Sequence, residues 1–169
     1  MRRALAFIVL FAVLAAAGGG VLSRGGDTGP ERPGQTLSGR VTKIVDGDTI
    51  HVALGGREEK VRYIGMDTPE THKPGTPVQC FGRAASAFNA RLLEGRTVDL
   101  RTDSETRDRY GRLLAYVYRR PDGLFVNAEL VRQGYATILT IPPNVAHAAE
   151  FLRLQRAARE AGRGLWGAC

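Results

Sequence analysis

The sequence has little lysine. Only Lys43, Lys60 and Lys73 accompany its arginines in a total of 24 basic residues. Cysteine is scarce as well, with Cys80 and Cys169 alone, and the three histidines, His51, His72 and His147, lie far apart. No Cys/His spacing of the kind that holds zinc is present. No cysteine follows the apolar run at the N-terminus, which argues against a lipoprotein anchor, and the Arg2-Arg3 pair lacks the surroundings of a twin-arginine signal. There is no internal repeat and no long low-complexity tract. What replaces lysine is arginine, whose planar fork matches phosphate oxygens, so an Arg-rich surface suits a phosphate-bearing partner. Genome base composition produces the same excess, so charge by itself is weak support. The formal charge of +7 becomes +5 once Arg2 and Arg3 are left out.

The 169 residues fit one domain with a short appendage. Hydrophobic residues make up 43%, enough for a compact core. Arg2 and Arg3 precede an uncharged apolar run over 4–17 with small residues at Ala15 and Ala17, the pattern of a secretory signal peptide. Extended through Gly18–Gly20 to Leu22, the same run approaches the roughly 20 residues that span a bilayer. Residues 1–22 are therefore a signal peptide or an N-terminal membrane anchor. Both place the rest of the chain outside the cytoplasm, secreted or tethered to the outer face of the membrane. Residues 23–36, with four Gly, two Pro and no large apolar side chain, read as a flexible linker. In an exported domain, two cysteines predict a Cys80–Cys169 disulfide, with two independent thiols as the alternative. A loop of that length stabilises by roughly 4 kcal/mol in the chain-entropy model.

The folded part is expected over 37–169. Leu37–Val45, Thr49–Leu54 and Glu59–Met66 alternate as strands, and Asp46-Gly47 and Gly55-Gly56 mark the turns between them. Phe81, Ala85, Phe88 and Leu92 line one face of a helix over about Gln79–Leu93, stopped by Gly95. Thr97–Thr102 and Leu113–Tyr118 are two more strands. Helices follow over Val126–Gln133 and about Val145–Ala161. Five short strands with about three helices predict an α+β, mainly β fold: a small, partly open five-stranded OB-type barrel.

The chemistry-bearing residues cluster at strand ends. Asp46 and Asp48 flank Gly47, and Asp67 and Glu70 flank Thr68-Pro69. Neighbouring strands bring the two groups together, and converging carboxylates repel unless a cation neutralises them; hard oxygen donors suit Ca²⁺ or Mg²⁺. Taken singly, each cluster is also an ordinary turn. Arg62 lies within a strand and Arg112 follows Tyr110-Gly111, and a strand arginine is ordinarily a solvated face residue. Together they make another case. Phosphodiester cleavage needs positive charge at the phosphate oxygens and a carboxylate to orient or deprotonate water, and the sequence holds each part.

Ile44–Ile50 (IVDGDTI), Val61–Thr71 (VRYIGMDTPET) and Asp108–Tyr116 (DRYGRLLAY), with Phe81–Phe88, Val126–Gly134 and Gly164–Trp166, resemble the staphylococcal nuclease (thermonuclease) family, in family order over about 37–167. The resemblance implies an SNase-like fold and a calcium-dependent nuclease that cuts DNA and RNA, endo- and exonucleolytically, to 3′-phosphates. By position, it implies that Asp48 and Asp67 bind Ca²⁺ through carboxylates and Thr68 through its main-chain carbonyl. Glu70 matches the residue that positions and deprotonates water. Arg62 and Arg112 match the pair that hold the scissile phosphate, with Arg112 suited to the leaving group. Asp46 matches an acidic residue that shapes the site, Tyr110 one beside the nucleotide, and Lys73 part of a terminal-phosphate site. Nucleic acid is the implied partner, and a monomer the implied state.

The sequence also departs from that family. The stretch Ala136–Asn144 has no aromatic where the type member carries two tyrosines, and Thr140 stands where one would be. Weaker base stacking follows. Cys80 and Cys169 have no counterpart in the type member. Two other classes compete with a nuclease: a non-cutting OB-like binding module, and a structural Ca²⁺-binding protein. The first typically loses acidic or arginine site residues, all present here. The second leaves the two arginines unexplained.

Overall fold

The computed structural model describes residues 31–71, 75 and 77–169. The N-terminal signal or anchor and most of the expected linker lie outside the described residues. Among those described, no helix is long and apolar enough to cross a membrane.

Five strands form a closed barrel: β1 (Thr36–Ile44), β2 (Thr49–Leu54), β3 (Arg57–Tyr63), β5 (Thr97–Arg101) and β6 (Leu113–Arg119), in the order β1-β2-β3-β6-β5. The barrel expected to be partly open is closed by antiparallel pairing of β1 with β5, from Thr36↔Arg101 to Arg40↔Thr97. Beside it lie α1 (Gly82–Leu93), α2 (Val126–Arg132) and α3 (Ala148–Glu160), with a four-residue turn of helix, α4 (Leu165–Ala168), at the end. Ile50, Val52, Val61, Leu100, Leu113 and Val117 point inward from the strands and are fully buried. Alternation puts them on one face, and closure takes that face out of water.

The strand expected over Glu59–Met66 is broken at Ile64, just before Gly65. The Gly65 φ is +83°, and a Cβ there would lie 2.4 Å from the Phe151 ring, so glycine lets the backbone turn against α3. The chain beyond it forms β4 (Gly65–Asp67), leaves the barrel and pairs with β7 (Thr137–Leu139). Buried Asn127 fills the junction, accepting from the Val117 amide at 2.9 Å and donating to the Ile64 carbonyl at 3.0 Å.

Two helices start later than the periodicity suggests, because local polar groups are committed elsewhere. Gln79 bonds to Glu70, and Phe81 adopts φ +67° before α1 begins. Before α3, the Ala146 amide donates to Asp103 and Asn144 bonds to Glu105. Cys80 and Cys169 are joined in a disulfide that pins α4 beside the start of α1. Within the stretch expected to be a linker, Glu31 to Thr36 lie on the barrel: Thr102 Oγ1 donates to the Arg32 carbonyl at 2.7 Å, and Glu31 pairs with Arg57 and Arg107.

Candidate active site

The β1–β2 turn delivers the first carboxylates. A Cβ on Gly47 would fall 2.7 Å from the Thr68 side chain, so the turn approaches the end of β4 as only glycine allows. The buried Asp48 then bridges the two segments. Its Oδ2 accepts from the Thr68 amide at 2.8 Å and from Thr68 Oγ1 at 2.9 Å, and its Oδ1 accepts from Thr49 Oγ1 at 3.0 Å. Strand pairing places Arg62 opposite Thr49. Arg62 Nη1 lies 2.7 Å from Asp48 Oδ1, an ion pair without the alignment of a hydrogen bond. Its Nη2 donates to Asp67 Oδ1 at 2.5 Å. One guanidinium therefore draws Asp48 and Asp67 toward a single spot.

That spot carries more negative charge than Arg62 offsets. Burial, and then the charge of Asp48, push the Asp46 carboxyl up to about 6. Burial also raises Asp67; Arg62 opposes this, while Asp48 and Glu70 add to it. Burial and neighbouring like charge both disfavour ionised carboxylates, and a nearby cation would offset that cost. Among the described residues, no group of three or more His, Cys, Asp or Glu side chains is arranged to hold a metal. The oxygens lining this cleft that could hold a cation are the Asp48 and Asp67 carboxylates and the Thr68 carbonyl. All are hard oxygen donors, the type that suits Ca²⁺ or Mg²⁺.

Glu70 is held by its main chain. Its amide donates to Gln79 Oε1 at 2.8 Å, and its carbonyl accepts from the Gln79 amide at 2.9 Å. Glu70 Oε1 accepts from the Thr71 amide at 2.9 Å. Across the cleft, Asp108 organises the turn before β6: Oδ1 accepts from the Tyr110 and Arg112 amides, and Oδ2 from Arg112 Nε at 2.6 Å. Burial works to raise the Asp108 carboxyl, but these donors outweigh it and hold the group below its usual 3.8. Asp108 takes Nε, and the Nη1 and Nη2 donors of Arg112 make no hydrogen bond among the described residues. The Tyr110 ring, 68% exposed, stands 5.4 Å from the Arg112 guanidinium carbon.

Asp46, Asp48, Arg62, Asp67, Thr68, Glu70 and Arg112 all line one cleft of about 300 Å³. An adjoining hollow of about 500 Å³ shares Arg62 and Arg112 and adds Tyr110, Leu139 and Ile141. Cys80 and Cys169 border a third recess with Asp67 and Thr68. Lys73 lies outside the described residues. Sequence reasoning missed Gln79, Asp108 and Asn89. Asn89 is fully buried, accepts from Tyr63 Oη at 3.0 Å and donates to the Asp46 carbonyl at 3.0 Å, bracing the acidic turn. An asparagine amid the apolar positions of α1 was the available signal.

A family model described as Staphylococcal nuclease homologue matches residues 60–168. The chain is 42% identical over 126 residues to the thermonuclease of Staphylococcus intermedius, covering 75% of this chain and 74% of that protein. It is 39% identical over 127 residues to the thermonuclease of Staphylococcus hyicus, with the same coverage. To endonuclease YncB of Bacillus subtilis it is 38% identical over 126 residues, 73% of this chain and 59% of the relative.

Proposed function

The chain belongs to the staphylococcal nuclease homologue family, and we propose that it is an exported, calcium-dependent nuclease that cuts DNA and RNA, endo- and exonucleolytically, to 3′-phosphate products. It is a hydrolase of phosphodiester bonds. The finer reading rests on one observation: both arginines, Glu70 and the oxygen donors share one small cleft.

In this reading, Arg62 and the Nη groups of Arg112 grip the non-bridging oxygens of the scissile phosphate. Charge that builds there is met by donors already in place. Glu70 orients the attacking water and takes its proton. The bond from phosphorus to the 5′ oxygen breaks, leaving a 3′-phosphate and a 5′-hydroxyl, and Arg112 donates to the departing oxygen. Asp48, Asp67 and the Thr68 carbonyl would hold Ca²⁺, which would supply positive charge to offset the charge that builds on the phosphate. Asp46 adds to the acidic field, Tyr110 stands beside the nucleotide and Lys73 serves a terminal phosphate. The hollow beyond Arg112 takes the base. Backbone recognition of this kind carries little sequence preference.

Export is supported by Arg2-Arg3 with the apolar run after them, and by a disulfide of the kind that persists in oxidising compartments. Residues 1–22 then act as a cleaved signal or a retained anchor, ahead of a monomeric nuclease. The test is cleavage of single-stranded DNA by the chain from residue 24 onward, with Ca²⁺ and then with excess chelator. Calcium-dependent cutting that chelator abolishes supports the reading; tight binding without cutting rejects it.

A further inference from the structure

Arg112 follows a tight turn, and part of what fixes that turn lies outside the cleft. Asp108 caps the turn from within, through the Tyr110 and Arg112 amides. Its apex, Gly111, sits at φ +77°. The Gly111 carbonyl accepts from Arg107 Nη1 at 2.7 Å. Arg107 is itself gripped. Its Nε donates to Glu31 Oε2 at 3.0 Å, its Nη2 to Glu31 Oε1 at 2.6 Å, and its Nη1 to Glu59 Oε2 at 3.0 Å. Arg57 closes the ring, with Nη2 2.9 Å from Glu31 Oε1 and Nε 2.8 Å from Glu59 Oε1.

Two features set this network apart from ordinary surface ion pairs, which hold little geometry. The Glu31 and Glu59 side chains are only 7% and 12% exposed. The Glu31–Arg107 contact is also bidentate, the arrangement that fixes a guanidinium in its plane. Glu31 and Glu59 both precede the 60–168 stretch that the family model matches.

We infer that Glu31, in the segment leading into the barrel, is a positioning residue for catalysis: through Arg107 and the Gly111 carbonyl it sets the turn that aims Arg112. The inference rests on the reading of Arg112 as a phosphate ligand. Asp108 occupies Arg112 Nε, so the direction of the remaining donors follows the backbone of residues 108–112. Without Glu31, the Arg107 plane is held by Glu59 through one nitrogen, and the apex carbonyl loses a fixed donor.

The experiment compares Glu31→Gln, Arg112→Ala and the double variant in the full chain, on single-stranded DNA with Ca²⁺ and well below the melting temperature. Glu31→Gln is expected to lower kcat about tenfold with KM little changed, the scale of a small misplacement of a catalytic group. On top of Arg112→Ala it should cost nothing further, because residues that act through one group are not additive. A wild-type kcat in Glu31→Gln overturns the inference, as does a full loss repeated on the Arg112→Ala background. Amide exchange at Gly111 and Arg112 provides a readout independent of turnover, and faster exchange in Glu31→Gln is expected. If Arg112→Ala cuts as fast as wild type, the reading of the site fails and the inference is overturned with it; if Arg112→Ala is slow while exchange at Gly111 and Arg112 is unchanged in Glu31→Gln, the inference alone is overturned.

Discussion

Gln79 holds Glu70 from both sides of its peptide, accepting the Glu70 amide at 2.8 Å through Oε1 and donating its own amide to the Glu70 carbonyl at 2.9 Å. A general base works only within hydrogen-bond reach of the water it serves. Gln79→Ala removes one half of this clamp and leaves the other. It is expected to lower kcat about tenfold, against about 10²- to 10³-fold for Glu70→Gln, the scale for losing a group that acts in the transition state. Steady-state rates on single-stranded DNA measure both. A Gln79→Ala enzyme as fast as wild type would show that Glu70 needs no such support.

The next residue, Cys80, is tied to Cys169 at the chain end, and both are exposed. The bond spans 89 residues, and closing so long a loop contributes roughly 4 kcal/mol in the chain-entropy model. Denatured, unreduced protein should show no free thiol. The paired Cys80→Ser and Cys169→Ser substitutions should move the urea midpoint down clearly. Two titratable thiols, or an unmoved midpoint, would contradict this.

Asp108 should make part of the fold's stability sensitive to acid. Burial favours its protonated form, but the Arg112 side chain and the Arg112 and Tyr110 amides win, and the carboxyl is held below 3.8. In the unfolded chain it takes up a proton at a higher pH than in the fold. Its contribution to stability is therefore fully present above the unfolded value and lost as pH falls through the lower folded one. Wild type should exceed Asp108→Asn in urea midpoint by a constant margin above about pH 5, and the margin should shrink below about pH 3.8. A margin unchanged at low pH would remove Asp108 from this role.

Besides Tyr110, the hollow beside Arg112 is lined by the aliphatic Leu139 and Ile141. Leu139 and Ile141 are 41% and 60% exposed, with no aromatic between Ala136 and Asn144. Stacking a base on an aromatic ring contributes about 1–3 kcal/mol, so Ile141→Tyr is expected to lower KM for single-stranded DNA by about tenfold. The kcat should change little, because the ring touches the base and not the phosphate. An unchanged KM would place the base elsewhere.

The sequence by itself determined the barrel class, the family and the composition of the cleft. These are carried by short patterns: alternation in β1 and β2, glycine-marked turns, and the runs Ile44–Ile50, Val61–Thr71 and Asp108–Tyr116. Within such runs, neighbours in sequence are neighbours in space, so Asp46 with Asp48, or Asp67 with Glu70, declare themselves. Only the tertiary structure decided the break at Ile64, just before Gly65, where Phe151 occupies the space of a side chain. It also decided the barrel's closure by β1 and β5, and the residues that brace the site. Asn89 reaches back 43 positions to Asp46, and Arg107 reaches 76 positions to Glu31. Gln79 bonds across the loop to Glu70, which also delays α1. An arginine or glutamine reads as a surface residue until folding brings its partner alongside. Local periodicity reports which face a side chain occupies, and long-range contact alone reports what it holds in place.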